Sequence, residues 1–210
     1  MTSGTSAATA AAIEFGPLTI RYDDRILRPR PWTAQQSLWA AELIAAAPDG
    51  PVLELCSGAG HIGLLAIATA PRPLVCVDAD SVACEYTRSN AAAAGLAHLV
   101  DVRHGLLDDA LGEGARFVVV VADPPWVPRD EIGRYPEDPV LAIDGGPDGL
   151  DLARECLQVA ARHLVPGGSV VLQVGTREQV DRLATEAPAH LTLAEVRDGE
   201  RGVLARLDRE

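Results

Sequence analysis

Apolar positions along the chain switch between two periods. Val52–Leu55, Leu74–Asp78 and Phe117–Ala122 are short apolar-rich runs, and Val100–His104 is a further predicted strand, each followed or preceded by a longer mixed stretch. Phe117–Ala122 reads FVVVVA, apolar on both faces, which predicts a central buried strand. Positions 150, 153, 156, 157, 160, 161 and 164 are apolar, a helical period. Helices are also predicted over about His61–Ala70, Ser81–Ala94 and Arg177–Ala187, and further strands over Ser169–Val174, Leu191–Val196 and Val203–Leu207. Alternation of this kind predicts an α/β fold, a parallel sheet with helices on both faces.

The approach to this core reads differently. Ile13–Arg21 and Arg25–Arg28 are predicted as two short strands with Asp23-Asp24 at the turn. Arg28-Pro29-Arg30-Pro31 excludes helix. Thr33 with Gln36 three residues on predicts a capping box, opening a helix to about Ala47 that Pro48-Asp49-Gly50 stops. The domain division expected is a disordered tail over 1–12, a hairpin and lid segment over 13–32, and one catalytic domain over 33–210.

Composition narrows the partners. The 210 residues carry a formal net charge of −12, which disfavours unaided binding to nucleic acid. All 18 basic residues are Arg, which reads as compositional bias. Cys56, Cys76, Cys84 and Cys156 have no metal-ligand spacing and read as reduced, buried thiols. The start MTSGTSAATAAA has neither a basic region nor a hydrophobic one, and no apolar run reaches the length of a membrane span. A cytoplasmic protein without membrane or metal is the expectation.

The candidate chemistry sits in two places. LELCSGAGHIG contains Gly58-x-Gly60-x-x-Gly63, the spacing of a dinucleotide-binding turn, with Asp78 ending the next strand, placed to bond ribose hydroxyls. A nicotinamide cofactor and S-adenosyl-L-methionine both fit that pattern. Glu54 tilts the choice, because a carboxylate repels a pyrophosphate; it either accepts from the ammonium end of the methionine moiety or anchors the turn. Asp123-Pro124-Pro125-Trp126 follows the central strand. Its prolines remove two backbone donors and leave acceptors beside a flat ring. That combination suits a planar NH2 group. The irregular stretch Asp123–Gly149 is long enough to read as functional.

On these residues the chain resembles a class I S-adenosylmethionine-dependent methyltransferase, and more closely the HemK-like protein-(glutamine-N5) methyltransferases. RILRPRPWTAQ, LELCSGAGHIG, VCVDAD, ADPPWVP and LAIDGGPDGLDLAR each match a stretch of that family, over roughly residues 13–180. The departures are Ala34 for a Glu, Cys56 for the first glycine, Asp123 for Asn and Trp126 for Tyr. Leu106-Leu107 stands where an acidic-aromatic pair often holds adenine. The stretch before Thr33 in this sequence is expected to be too short for the family's amino-terminal docking domain.

The resemblance implies a Rossmann-like, seven-stranded, mostly parallel sheet, preceded by the hairpin. It implies methyl transfer from S-adenosyl-L-methionine to a planar nitrogen of a protein glutamine or a small molecule. A nucleic-acid base methyltransferase is the alternative and a nicotinamide oxidoreductase the remoter one. Glu54, Cys56, Ser57, Gly58, Ala59 and Gly60 would hold the methionine moiety. Asp78 and Ala79 would take the ribose and Leu107 the adenine, while Arg30 and Thr33 close over the cofactor or order a lid. Asp123, Pro124, Pro125 and Trp126 would hold the acceptor, and Asp123 also borders the cofactor. A homodimer, or a partner subunit replacing the docking domain, stays open.

Overall fold

The computed structural model describes residues 10–210. Its centre is the parallel pair β3 (Val52–Leu55) and β6 (Phe117–Ala122), buried at every position. Seven strands form one sheet in the order β5-β4-β3-β6-β7-β9-β8, where β4 is Leu74–Asp78, β5 Val100–His104, β7 Leu164–Val174, β8 Leu191–Asp198 and β9 Val203–Arg209. The first five run parallel, and β9 is antiparallel to both its neighbours.

Helices α1 (Ala34–Ala46), α2 (His61–Thr69) and α3 (Ser81–Ala93) cover one face. Ala40 and Ile44 of α1 and Ile62 and Ile67 of α2 pack on Val52, Cys76, Val119 and Val121. Helices α5 (Asp151–His163) and α6 (Arg177–Glu186) cover the other. There Ala153, Leu157 and Ala160 of α5 and Val180 and Leu183 of α6 meet Leu53, Leu55, Val120 and Ala122. Alternate side chains of one strand thus feed two separate cores. A one-turn helix, α4 (Val140–Ile143), lies in the stretch between β6 and α5.

Three expectations need correction. The hairpin strands are β1 (Ala11–Phe15) and β2 (Leu18–Tyr22), turning at Gly16-Pro17 rather than at Asp23-Asp24. Gly16 adopts φ 60°, as a two-residue hairpin loop with glycine first requires. Asp23 instead lies buried, taking hydrogen bonds from Arg25 and the Tyr86 hydroxyl. The strand also begins at Ala11, inside the expected tail; residues 1–9 of that tail lie outside the described residues.

The capping box does not form. A 3-10 turn over Pro31–Thr33 precedes α1, so Thr33 is already helical and its hydroxyl donates back to the Arg30 carbonyl. Gln36 is fully buried and its amide donates to the carbonyls of Ala122 and Val171, spanning the ends of β6 and β7. Among the described residues no helix is long and apolar enough to cross a membrane, and no His/Cys/Asp/Glu cluster would hold a metal.

Candidate active site

The chain leaves β3 toward β4 on one side, while β6 pairs with β3 on the other. The strand order therefore reverses between β3 and β6, and open sheets form a ligand crevice at such a point, beyond the carboxyl ends. The glycine loop, Asp78 and Asp123 all stand on that edge.

The loop's three glycines answer to three causes. Gly58 and Gly60 lie at φ 54° and 77°. A Cβ on Gly60 would also meet Thr87 Cγ2 at 2.7 Å, whereas one on Gly58 would meet nothing within 4 Å, so the space above Gly58 is open. Gly63 is required by Glu54: its N–H donates to Glu54 Oε1 at 2.9 Å, and a Cβ there would lie 2.4 Å from Oε2. Cys56, at φ 58°, is the one non-glycine among the described residues with positive φ, a strained conformation for a side chain.

Glu54 is buried, and its second oxygen accepts from the Cys76 thiol at 3.3 Å. Burial pushes its carboxyl up to about 7. With these two contacts Glu54 anchors the start of α2, the second of the roles expected of it. Asp78 does face the loop. Its Oδ2 accepts from Gly58 N–H at 2.7 Å and its Oδ1 from Asp80 N–H at 2.9 Å. Each oxygen keeps further acceptor capacity.

Nearby, His104 Nε2 donates to the Ala79 carbonyl at 3.0 Å. Leu107 packs against the core beside a 3-10 turn, while Leu106 is exposed. The Ser57 hydroxyl is buried without a partner. An open floor over Gly58, an unpaired hydroxyl and a ribose-reaching carboxylate fit an adenosine cofactor that bears no phosphate.

Asp123, Pro124, Pro125 and Trp126 line a cavity of about 140 Å³ with Trp32, Thr33, Tyr135, Gln173 and Arg201. The Asp123 carboxylate has no hydrogen-bond partner among the described residues, and burial pushes it up to about 7. Trp126 is fixed from below. Its carbonyl accepts from Gln179 Nε2 at 3.1 Å, and its ring lies over Gly175, where a Cβ would be 2.6 Å from the ring. Gly149, at φ 77°, leaves no room for a Cβ, which would sit 2.3 Å from the Trp126 carbonyl. Gly146, at φ 87°, makes room for the Asp151 carboxylate in the same way. The segment Asp144–Asp151 is thus a shelf for the acceptor turn.

The stretch after the turn folds over the cavity. Arg30 reaches across to Asp138 at 2.5 Å, and Thr33 holds the Arg30 carbonyl at 2.8 Å. Of the two roles expected for this pair, ordering the lid is the one their contacts serve. Trp32 lies between two guanidinium groups, Arg30 at 5.6 Å and Arg201 at 5.4 Å from its ring. Gln173, Gln179, Asp138 and Arg201 carried no local signal in the sequence, and the local signal of Gln36 was for a cap it does not make; the chain folds these residues together from distant segments. His61, edge-on to Phe15, packs against the hairpin, and burial lowers its pKa to about 4.

Residues 36–134 match the model of the methyltransferase small domain family. A ribosomal protein uL3 glutamine methyltransferase of Bradyrhizobium diazoefficiens is 35% identical over 155 residues, covering 71% of this chain and 48% of the relative. A release factor glutamine methyltransferase of Deinococcus radiodurans is 34% identical over 190 residues, covering 88% of this chain and 66% of the relative. The chain spans about half to two thirds of the length of these relatives. The Thermus thermophilus 16S rRNA N2 G1207 methyltransferase shares the fold at a TM-score of 0.71 with 21% identity, covering all of this chain and 52% of that one.

Proposed function

The chain belongs to the methyltransferase small domain family, and from that premise we propose that it is an S-adenosylmethionine-dependent N-methyltransferase acting on a protein glutamine amide. The observation that carries the reading is the unpartnered Asp123 carboxylate at the end of β6, facing a cavity walled by indole rings. The named relatives methylate glutamine in a release factor or in ribosomal protein uL3, and a translation protein of that kind is the proposed acceptor. The four cysteines are free, which supports a reducing, cytoplasmic setting.

S-adenosylmethionine supplies an electrophilic methyl: the nitrogen–carbon bond forms as the carbon–sulfur bond breaks, sulfur keeps the electron pair, and one N–H proton is released. The chain's own residues do the rest. The Cys56–Gly60 loop and Asp78 would bind the methionine and ribose parts. Asp123 and the Pro124 carbonyl accept the two hydrogens of the acceptor NH2, draw electron density onto its nitrogen and fix its line of approach. The Asp123 carboxylate, raised by burial, is basic enough to take the released proton. Trp126 stacks against the amide plane, and the Arg30–Asp138 strap keeps water out. Alignment and placed acceptors would supply most of the rate.

The test is methyl transfer from radiolabelled S-adenosylmethionine to purified release factor and uL3, with the modified residue located by mass spectrometry. Label on glutamine nitrogen supports the reading. Label only in added RNA or DNA would replace it with nucleobase methylation.

A further inference from the structure

We infer that Gln173 is a specificity residue of the acceptor cavity, donating a side-chain N–H to the carbonyl oxygen of a primary carboxamide whose NH2 is held by Asp123; this rests on the amide-methylation reading above.

The placement follows from the sheet. β6 and β7 pair in parallel with Val121 opposite Val171 and Ala122 opposite Leu172. One step further along that register, Asp123 stands beside Gln173. Ala122 and Leu172 pack toward α5, and Val121 and Val171 toward α1. Alternation then turns Asp123 and Gln173 to the α1 side together. Both line the cavity.

The chemistry follows from an unpaired group. Gln173 is only 4% exposed, yet its amide makes no hydrogen bond among the described residues. The other buried glutamines do: Gln36 spans the Ala122 and Val171 carbonyls, and Gln179 holds the carbonyls of Trp126 and Asp148. The Gln173 amide atoms are not sealed in the core but reach the open space of the cavity, where they are free to bond a partner that enters it. The Asp123 carboxylate only accepts. It suits the NH2 of the acceptor but not the oxygen. A primary carboxamide presents both, and the oxygen needs a donor. Arg30 is engaged by Asp138, and Arg201 is exposed at the mouth over Trp32. Gln173 is the buried donor left. An amine acceptor has no oxygen and would leave it unpaired.

The experiment compares wild type with Gln173→Leu on two synthetic peptides, one with glutamine at the methylated position and one with ornithine, which replaces the carbonyl by CH2. Steady-state transfer, S-adenosylhomocysteine affinity by calorimetry and thermal midpoint are measured together. The leucine variant should lose roughly 10- to 100-fold in kcat/KM on the glutamine peptide. Its slow rate on ornithine should stay within about twofold, and so should its cofactor-product affinity. The preference of wild type for carboxamide over amine would then collapse in the variant. Wild-type transfer to glutamine with an equal rate in Gln173→Leu overturns the inference and leaves the proposed activity standing. Loss of S-adenosylhomocysteine binding in parallel with turnover overturns it in favour of a structural role. No transfer to glutamine by wild type overturns the activity itself, and the inference with it.

Discussion

Gly63 donates its N–H to Glu54 at 2.9 Å, and a Cβ on Gly63 would lie 2.4 Å from the other oxygen of the same carboxylate. The third glycine of the cofactor motif is therefore a partner of the acid five residues before Ala59, and not a ligand contact. Gly63→Ala should destabilise by about 1–3 kcal/mol, as overpacking of a full core does. Differential scanning calorimetry checks this; an unchanged midpoint would show that the acid can swing away.

Glu54 also sets a pH dependence of stability. Its folded value is about 7 against an ordinary 4.5, because burial disfavours the charge. A raised folded value means the native state holds a proton the unfolded chain has released. Its contribution is complete below about pH 4.5 and is lost as pH rises through about 7. Denaturant unfolding of wild type and Glu54→Gln at pH 5 and pH 8 should therefore differ. The wild type loses on the order of 3 kcal/mol more across that interval. Parallel pH profiles would refute the assignment.

Asp123 carries the activity in the same window but with the opposite slope. Its carboxylate form is the acceptor, and burial places its ionisation near 7. Turnover per bound acceptor should rise with pH to a plateau above about 8, with its midpoint near that value. Asp123→Asn keeps one acceptor oxygen and should flatten the limb at a lower plateau. Asp123→Ala should lose activity by roughly 100-fold or more while S-adenosylhomocysteine affinity holds within a few fold. Equal activity in the alanine variant would sink the assignment.

The strap from Arg30 to Asp138 is the contact that ties the segment before α1 to the segment after β6. Asp138→Asn should raise the acceptor KM several-fold, leave cofactor affinity unchanged and quicken proteolysis at Arg129 or Arg134. Limited trypsin digestion beside steady-state kinetics would read both effects. Unaltered KM with faster cleavage would confine the strap to a structural role.

Strands β3, β4 and β6 have the bounds their apolar runs predict, because both faces of each are covered and turn-forming residues flank them, and the edge strand β5 keeps the predicted bounds with its faces only partly covered. The hairpin departs from expectation because Gly16-Pro17 interrupts a run that otherwise continues, while Asp23-Asp24 imitates a turn. Pro31 defeats the capping box by starting a 3-10 turn ahead of Thr33. Asp78 and Asp123 were legible because Asp78 ends β4 and Asp123 directly follows β6, positions that sequence encodes locally. Gln36 and Gln173 were not: Gln36 acts on a carbonyl 86 residues away, and a glutamine in a strand has no signature of its own.

The reversal of strand order between β3 and β6 divides the labour of the molecule. Residues placed by β3 and β4 would handle the methyl donor, and nearly all those placed by β6, β7 and the segment behind them would handle the acceptor. The two sets meet in the sheet where β3 pairs with β6. A chain built this way can exchange its acceptor half, changing what it modifies, while its donor half is inherited untouched. Grafting 123–149 from a relative with another acceptor is the natural way to retarget it.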